Sequence, residues 1–442
     1  MTNIGIVSLG CPKNRVDTEN MLGILGSHGY AIVANPEDAD IIIVNTCAFI
    51  DSAKEESINT ILEMAEYKQN RCKLLIVAGC LAERYHGEIP EELPEVDAIV
   101  GTGDYHKIAE VIQNAATGEK PVLFGHINEE IPEGLPRMLS TGGASAYLKI
   151  ADGCDNKCTY CVIPQLRGKY RSRPMEEILK EAQSLADDGV KELIVIAQDT
   201  TRYGYDLYGG EMLSVLLTKL SEICGIHWIR VHYMYPESIT DSMVSVFAKN
   251  DKIVKYMDIP IQHINSRILK LMGRKTTKEQ ICARLEYLRS RIPNLTLRTS
   301  LIAGFPSETE AEFHELLEFV QNAKFERLGA FAYSKEENTA AAKLPGQIDE
   351  DIKITRQNAL LEAQQAISEK QQAEKIGKTY EVFVEGYDEE NLMYFGRTYA
   401  DSIEVDTTTY FAAEDEIPFG SFVNVKILDA DIYDCTGVQV CD

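Results

Sequence analysis

Strand and helix patterns alternate along most of the chain, and this alternation constrains the fold more than any other feature of the sequence. In the N-terminal part, runs rich in apolar and β-branched residues predict four strands: Ile4–Leu9, Ile41–Val44, Lys73–Ala78 and Asp97–Val100. Stretches with helical periodicity follow them: Val16–His28, Ser52–Tyr67, Leu81–Arg84 and Tyr105–Gln113. This order predicts a doubly wound parallel α/β domain.

A cysteine follows each of the first three predicted strands. Cys11 lies in SLGCPKN, Cys47 in IVNTC and Cys80 in IVAGC. The carboxyl ends of parallel strands share one edge of the sheet, and ligands of open α/β sheets bind at that edge. Free cysteine is also a common buried residue, so three unrelated core positions are the alternative. We expect the three cysteines to converge and to form one ligand set.

The middle of the chain repeats the alternation with six further predicted strands: Tyr147–Ile150, Glu192–Ala197, Trp228–Met234, Tyr256–Ile261, Leu295–Ile302 and Arg327–Tyr333. Helical stretches such as Met175–Asp187 and Lys278–Arg291 lie between them. Six βα units predict a partial (βα)6 barrel with its site at the carboxyl face.

Polar side chains that could bind a ligand lie at the ends of these strands: Gln198, Asp199, His232, Gln262 and His263. In the turn AGFPSE, Gly304 would let the backbone approach an adenine closely. A strand-end polar residue is as often a cap or a turn former, so each of these is a weak signal alone.

Three cysteines, Cys154, Cys158 and Cys161, are closely spaced in CDNKCTYC, just after the first barrel strand. A structural zinc site would want a fourth ligand, and the next histidine is His227. Disulfides need an oxidising compartment, and 11 cysteines in 442 residues are far fewer than a disulfide scaffold has. An iron–sulfur cube with one iron left open to a small molecule fits three ligands best.

The first residues and the hydropathy of the chain predict its location in the cell. The start, MTNIGIVSLG, has no basic segment, and no stretch reaches the roughly 18 apolar residues of a membrane span. We therefore expect a cytoplasmic protein without a membrane partner.

Four cations alternate with other residues in RGKYRSRP: Arg167, Lys169, Arg171 and Arg173. If this segment is extended, they lie on one face. An ordinary solvated face is one interpretation. Binding of a carboxylate, either of a cofactor or of an acidic substrate, is the other.

The tail changes character. The segments YEVFVEG, NLMYFGRTYA and FVNVKILDA predict strands of a small antiparallel β-barrel, and before them 357–374 predicts an exposed helix. From Lys378 to Asp442 there are 15 acidic and three basic residues, a net charge of −12 out of −25 for the chain. This charge argues against nucleic acid as a partner and favours a basic protein.

Over essentially its whole length the chain resembles the radical S-adenosylmethionine methylthiotransferases. The C-x3-C-x2-C spacing is the signature of radical S-adenosylmethionine enzymes. The family shares the order of a three-cysteine domain, a radical barrel and a β-barrel called TRAM. SLGCPKNRVDTE and NTCAFIDSAKEES resemble the branch that modifies an aspartate of small-subunit ribosomal protein S12. The tRNA branch usually has Gln-Met-Asn where this chain has Pro12, Lys13 and Asn14.

The resemblance implies two 4Fe–4S clusters. Cys11, Cys47 and Cys80 would hold an auxiliary cluster, and Cys154, Cys158 and Cys161 the radical cluster. It also implies two S-adenosylmethionine molecules per turnover. One methylates a sulfur on the auxiliary cluster, and the other yields a deoxyadenosyl radical that takes a hydrogen from the aspartate β-carbon. The CH3S group then joins that carbon. Our candidates for binding S-adenosylmethionine are Gln198, Gly304, Arg167 and Arg171.

The implied domains are an N-terminal methylthiotransferase domain over residues 1–116, a linker over 117–143, a radical domain over 144–374 and a TRAM domain over 375–442. The implied partners are the ribosomal protein, free or within the small subunit, and an electron donor such as flavodoxin or ferredoxin. Two alternatives stay open: methylthiolation of a tRNA adenosine by the same chemistry, and a non-catalytic electron carrier with two clusters. The acidic tail leads us to expect no direct tRNA binding.

Overall fold

A parallel sheet with helices on both faces forms the N-terminal region of the computed structural model, which describes residues 2–140 and 142–440. The strands are β1 Asn3–Ser8, β2 Ala31–Val33, β3 Ile41–Thr46, β4 Leu74–Gly79, β5 Ala98–Val100 and β6 Val122–Leu123. The helices are α1 Pro12–Ser27, α2 Asp51–Glu66, α3 Cys80–Tyr85, α4 Ile89–Glu92 and α5 Ile108–Ala116. The strand order is β2-β1-β3-β4-β5-β6, with α1 and α5 on one face and α2 and α3 on the other. The predicted doubly wound domain is confirmed.

The segment predicted as a linker, 117–143, is partly built into this domain. It supplies the edge strand β6, which pairs with β5 in parallel. Further along, the Arg137 guanidinium pairs at 2.6 Å with Glu19 of α1 and at 2.6 Å with Glu181 in the next domain. The segment therefore bridges the two α/β units.

The central region is an open barrel of six parallel strands in the order β14-β13-β12-β11-β10-β7. These are β7 Ser145–Lys149, β10 Glu192–Ile196, β11 Trp228–Val231, β12 Ile253–Asp258, β13 Thr296–Ala303 and β14 Arg327–Ala332. A small ribbon, β8 Ala151–Asp152 with β9 Arg171–Ser172, follows the first strand. The helices are α6 Ile163–Arg167, α7 Met175–Asp187, α8 Tyr205–Tyr208, α9 Leu213–Ser221, α10 Asp241–Lys249, α11 Ser266–Leu271, α12 Lys278–Arg291, α13 Glu310–Ala323 and α14 Glu350–Ala373. The predicted partial (βα)6 barrel is confirmed.

Helix α14 differs from the exposed helix that its composition predicts. Leu360 is fully buried, and Gln364 and Gln372 are 4% and 1% exposed. The Gln364 amide donates to the backbone oxygen of Phe325, just before β14. The helix therefore packs against the barrel edge along one face, which its polar sequence disguises.

The C-terminal region is a closed five-stranded barrel in the order β15-β16-β17-β19-β18. The strands are β15 Thr379–Asp388, β16 Met393–Arg397, β17 Thr409–Ala412, β18 Phe422–Ala430 and β19 Cys435–Gln439. Four pairings are antiparallel, as predicted, but β17 and β19 pair in parallel. Cys441, which shows no ligand pattern in the sequence, lies outside the described residues. Within them, no helix is long and apolar enough to cross a membrane.

The C-terminal barrel covers the inner face of the open barrel through buried ion pairs. Side chains alternate along β11, so Ile229 and Val231 face the helices while Trp228 and Arg230 face inward. Inside, Glu192 pairs with Arg230 at 2.8 Å and with Arg397 of β16 at 2.6 Å. Burial alone would raise the pKa of Glu192, but Arg397 and Arg230 lower it to about 2. This carboxylate therefore ties the two barrels together.

Trp228 reports on the same junction, because it is the only tryptophan of the chain. Its ring centre lies 5.9 Å from that of Phe383 and 4.8 Å from that of Phe422, both in the C-terminal barrel. Its fluorescence should therefore change when the C-terminal barrel undocks.

Replacing Glu192 by Gln should lower the free energy of unfolding by about 3–5 kcal/mol, because the buried Arg230 loses its counterion and Arg397 keeps only Glu385. The urea midpoint of the Trp228 fluorescence change measures this loss. The folded pKa of about 2 lies below the ordinary 4.5, so the stabilisation is present above pH 4.5 and is lost as pH falls towards 2. The difference in the free energy of unfolding between wild type and variant should therefore become smaller as the pH falls from 4.5 towards 2.

The matched control is Glu381→Gln, which removes a carboxylate from the His227 pair at the same junction. Those side chains are 46% and 45% exposed, so the change should be within about 1 kcal/mol. Equal midpoint shifts for the two variants would show that the buried pairs do not hold the barrels together.

Candidate functional site

The first three cysteines lie at the carboxyl ends of β1, β3 and β4, which are neighbours in the N-terminal sheet. Cys11 is the N-cap residue of α1, Cys47 follows the last residue of β3, and Cys80 opens α3. Gly10, with φ +84°, allows a close approach here, since a Cβ on it would lie 2.7 Å from the Cβ of Cys47. The strand ends therefore bring the Cys11 and Cys47 loops together.

The thiols of this first set influence one another. Burial, and next the Cys11 thiol, raises the pKa of Cys47. Burial raises the pKa of Cys80 to about 12, with Cys47 and Cys11 adding to the effect and Arg167 opposing it. All three thiols are free of disulfides. The Cys11 thiol acts on both Cys47 and Cys80, and the role of the three as one ligand set stays a prediction.

Asn14 lies beneath the first set and is fully buried. Its amide donates to the backbone oxygens of Thr46, at 2.7 Å, and Leu9, at 3.2 Å. Its side-chain oxygen accepts from Arg167 and lies 3.7 Å from the Cys80 sulfur. This asparagine fixes the loops of the first set to each other and to the central domain.

Four buried charges join α1 to the central barrel. Asp17 accepts from Lys149 at 2.6 Å and from Arg167 at 2.7 Å, and Asp152 lies 3.1 Å from the same two cations. Burial opposes charge on Asp152, but Lys149 and Arg167 hold its pKa well below the usual range. Asp152 pairs with both cations inside the central domain, whereas Asp17 reaches them across the junction of the two domains.

The second set, Cys154, Cys158 and Cys161, lies in the loop that follows β8. The Cys154 amide donates to the backbone oxygen of Gly168 at 3.0 Å. Burial raises the pKa of Cys154 to about 11, and burial followed by the Cys158 thiol raises that of Cys161. These three cysteines are also free. Cys158 acts on both Cys154 and Cys161, and the role of the three as cluster ligands stays a prediction.

Cations and aromatic rings surround Cys158. The Tyr235 hydroxyl lies 3.8 Å from its sulfur, and an Arg274 nitrogen lies 4.0 Å from it. The Arg274 guanidinium is also 4.2 Å from the centre of the Tyr235 ring. These partners would stabilise negative charge on the sulfur.

Two tyrosines after β11 connect the two cysteine sets. Burial, and next the Cys11 thiol, raises the pKa of Tyr233, while burial and then the Cys158 thiol raise that of Tyr235. Tyr233 has φ +59°, an uncommon backbone conformation for a large side chain. The two sets therefore lie on either side of one short segment. Only their position after a strand could have pointed to these two tyrosines from the sequence.

Lys13 also faces this segment. It is 6% exposed, and its ammonium lies 3.2 Å from the centre of the Tyr233 ring. Burial lowers its pKa to about 8, while Cys11 and Asp258 act in the opposite direction. This side chain is a cation at the junction of the two domains.

The four cations of RGKYRSRP do not share a face, because the segment is not extended throughout. Arg167 ends helix α6 and holds Asp17 and Asp152, whereas Arg173 pairs with Glu133 and Glu181. Arg171 donates to the backbone oxygens of Ile127 and Glu129, and Lys169 is exposed. The one-face prediction was wrong.

The candidates for cofactor binding have different surroundings. Gln198 donates to Asp152 at 2.9 Å, and its buried carbonyl oxygen has no partner within the described ranges. Gly304 has φ +73°, and a Cβ on it would lie 2.4 Å from Cγ of Lys353, so α14 already packs there. Of the residues predicted to bind the cofactor, Gln198 therefore has a hydrogen-bond acceptor that a ligand could use. Roles for Arg167, Arg171 and Gly304 stay predictions.

No three His, Cys, Asp or Glu side chains in 2–140 and 142–440 are placed to hold one metal ion together. An iron–sulfur cluster makes a different demand, because each thiolate binds its own iron. Two sets of three free, converging thiols fit that demand.

Three family models match successive parts of the chain. The uncharacterized protein family UPF0004 matches residues 3–101, the radical SAM superfamily matches 148–320, and the TRAM domain matches 376–440. Among solved structures, the radical S-adenosylmethionine methyltransferase TsrM from Kitasatospora setae has a TM-score of 0.56 at 12% identity and covers 75% of each chain. The cobalamin-dependent enzyme OxsB has a TM-score of 0.54 at 14% identity, covering 83% of this chain and 56% of that one. These two likenesses concern the fold alone.

Curated relatives match from end to end. The ribosomal protein uS12 methylthiotransferase RimO of Clostridioides difficile (strain 630) is 54% identical, covering 99% of this chain and 98% of its own. The protein of the same name from Acetivibrio thermocellus is 49% identical, covering 98% of this chain and 97% of its own. With this identity over nearly its full length, the chain belongs to the ribosomal protein uS12 methylthiotransferase family, whose members are radical S-adenosylmethionine enzymes.

Proposed function

We propose that this enzyme adds a CH3S group to the β-carbon of an aspartate in ribosomal protein uS12. The observation that carries the proposal is that both sets of free thiols adjoin the segment 233–235. Cys158 lies 3.8 Å from the Tyr235 hydroxyl, and Lys13, two residues after Cys11, lies 3.2 Å from the centre of the Tyr233 ring. A reaction that joins a sulfur group to an unactivated carbon needs a sulfur site and a radical site within reach of one atom. The relatives' shared name supplies the substrate.

Two 4Fe–4S clusters are part of this proposal. Cys11, Cys47 and Cys80 would hold the auxiliary cluster, and Cys154, Cys158 and Cys161 the radical cluster. When bound, the clusters and S-adenosylmethionine would supply the methylated sulfur and the radical that removes a hydrogen from the substrate. The protein's own part is to exclude water, to hold both thiol sets and to place the aspartate between them.

Gln198 is the residue we propose for contact with S-adenosylmethionine. Its unpartnered carbonyl oxygen is buried at the carboxyl end of β10, and its amide is held by Asp152. A buried acceptor without a donor is costly, and the α-ammonium of S-adenosylmethionine would supply one. The same Asp152 pairs with Arg167, so this contact would be coupled to the junction of the domains.

The C-terminal barrel carries a groove that suits a basic protein. The groove has a volume of about 770 Å³. Tyr387, Leu392 and Phe419 line it and are 37%, 71% and 64% exposed. The carboxylates that line it are Glu389, Glu414, Asp415 and Glu416. Apolar side chains among carboxylates favour a partner with both cationic and apolar groups.

Other acidic residues of the tail face inward. Asp401 pairs with Arg327, and Asp406 accepts from the Tyr256 hydroxyl at 2.6 Å and lies 3.8 Å from Arg298. Part of the tail charge is therefore used inside the protein, and the groove gathers four of the carboxylates that a partner could meet.

Methylthiolation of tRNA, the alternative considered from sequence, has less support. The curated relatives compared above are all named as modifying a protein, and the acidic groove would repel phosphates. A purely electron-carrying role is equally out of keeping with this family of transferases. The proposed location is the cytoplasm, where thiols stay reduced. The proposed electron donor is a small protein such as flavodoxin or ferredoxin.

Mass spectrometry of ribosomal protein uS12 from cells with and without this gene tests the proposal. We expect one CH3S group in place of one hydrogen, on an aspartate, only when the gene is present. An unmodified ribosomal protein in both strains, together with a modified tRNA in one, would reject the protein substrate in favour of tRNA.

Replacing Cys154, Cys158 and Cys161 together by Ala should halve the iron content, from about eight irons per chain after anaerobic reconstitution. It should also abolish the cleavage of S-adenosylmethionine, because the radical site is lost. Iron analysis and chromatography of deoxyadenosine measure the two effects. Continued cleavage in this variant would show that the radical site lies elsewhere.

Replacing Cys11, Cys47 and Cys80 together by Ala should also halve the iron content. Unlike the first triple variant, it should affect only one of the two activities. Reductive cleavage to deoxyadenosine should continue, while transfer of CH3S to the substrate should stop. Cys72→Ala and Cys282→Ala, outside both sets, are the controls and should change neither. If the triple variant lost both activities with the second cluster intact, the two sites would not divide the reaction in this way.

Neutralising Glu414, Asp415 and Glu416 to Gln, Asn and Gln should slow association with the ribosomal protein about 3–10-fold at low salt. Stopped-flow binding over a range of salt measures this, and the effect should shrink as salt screens the charges. The matched control neutralises Glu362, Glu369 and Glu374, which are exposed on α14 away from the groove. Equal slowing in both triple variants would mean that net charge, not the groove, attracts the partner.

A further inference from the structure

Lys13 is a buried cation without a counterion. It is only 6% exposed, and among residues 2–140 and 142–440 its ammonium has no carboxylate oxygen within 4.0 Å. Its ammonium lies 3.2 Å from the centre of the Tyr233 ring. Nearby buried cations differ in this respect, since Lys149 and Arg167 both pair with Asp17. A buried ammonium without a counterion lowers the stability of the fold unless a bound ligand supplies the opposite charge.

The contact with Tyr233 holds the ammonium in place without satisfying it. A ring face attracts a cation, but it accepts few of the three hydrogen bonds that an ammonium can donate. The φ of Tyr233 is +59°, a positive value that is uncommon for a non-glycine residue. The backbone that carries this ring is therefore held in an unusual conformation. The arrangement therefore fixes a cation whose donors are left for another molecule.

The two carboxylates that act on the pKa of Lys13 already pair with other cations. Asp258 and Asp152 both act on Lys13, but Asp258 pairs with Arg298 at 3.0 Å. Asp152 lies 3.1 Å from both Lys149 and Arg167. Neither is free to neutralise Lys13, and the Cys11 thiol, which acts on it more strongly than either carboxylate, is assigned to the first cysteine set, so the site is suited to an incoming anion.

We propose that Lys13 binds the side-chain carboxylate of the aspartate that the enzyme modifies. The inference rests on the proposed function and names a substrate-binding residue for it. The carboxyl carbon of aspartate is bonded directly to the β-carbon. A carboxylate held at Lys13 therefore places the β-carbon beside the first cysteine set, two residues from Cys11, and next to the tyrosine segment that leads to the second set.

The charge of Lys13 makes a specific prediction about substrate choice. An ammonium gains much more from a carboxylate than from the neutral amide of asparagine, above all where water is excluded. The enzyme should therefore prefer an aspartate peptide to the otherwise identical asparagine peptide, and Lys13 should be the origin of the preference. Lys169, an exposed cation of the loop 167–173, should contribute nothing to it.

The test uses the full chain with both clusters reconstituted, and two peptides that carry the modified segment of ribosomal protein uS12 with either Asp or Asn at the target position. Fluorescence anisotropy gives the Kd of each. Wild type should bind the Asp peptide at least tenfold more tightly. Lys13→Met, a neutral side chain of similar length, should reduce the ratio to about one, whereas Lys13→Arg and Lys169→Met should keep most of it.

Iron content and the visible spectrum are measured on every variant. Loss of the Asp preference in Lys13→Met, with iron equal to wild type, supports the proposal. An unchanged preference overturns it. Loss of half the iron in Lys13→Met and also in Lys13→Arg overturns it too, because Lys13 would then serve the first cysteine set. If wild type neither binds nor modifies the Asp peptide, the proposed substrate is wrong, and this inference falls with it.

Discussion

The ion pairs among Asp17, Asp152, Lys149 and Arg167 are the interaction on which the arrangement of the site depends. Each of these groups is nearly or fully buried, and a buried charge without a partner costs several kcal/mol. Asp17 of α1 finds its two cations only when the two α/β units dock, and without it Lys149 and Arg167 would share the single carboxylate of Asp152. Docking fixes both cysteine sets relative to each other, because Cys11 begins α1 and Cys154 follows β8.

A second group of buried ion pairs joins the C-terminal barrel to the open barrel. Glu192, Arg230 and Arg397 connect it to the base of the open barrel, and the Ser402 hydroxyl lies 2.9 Å from the His232 ring. Acidic residues that would repel one another in an isolated domain thus neutralise cations inside the open barrel. Four of those left on the outer surface line the groove proposed for the basic substrate protein.

Much of this could be predicted from local sequence, because local patterns determine strands, helices and their ends. The alternation of elements gave both α/β units, and the positions of Cys11, Cys47 and Cys80 after strands predicted that they would meet. The surroundings of Arg167 and Gly304 could not be predicted in this way. Arg167 meets Asp17 from 150 positions away, and Gly304 meets Lys353 of a helix whose polar sequence conceals its buried face. Such contacts depend on how elements dock, which no local pattern encodes.

The proposed reaction requires both cysteine sets to act in one turnover on one β-carbon. A substrate peptide deuterated at the β-carbon of its aspartate tests this claim directly, with mass spectrometry of both products. We predict that the deoxyadenosine carries one deuterium and forms in equal amount to the CH3S-bearing peptide. Formation of the CH3S-bearing peptide with unlabelled deoxyadenosine would contradict the account, because hydrogen removal and sulfur transfer would then not share that carbon.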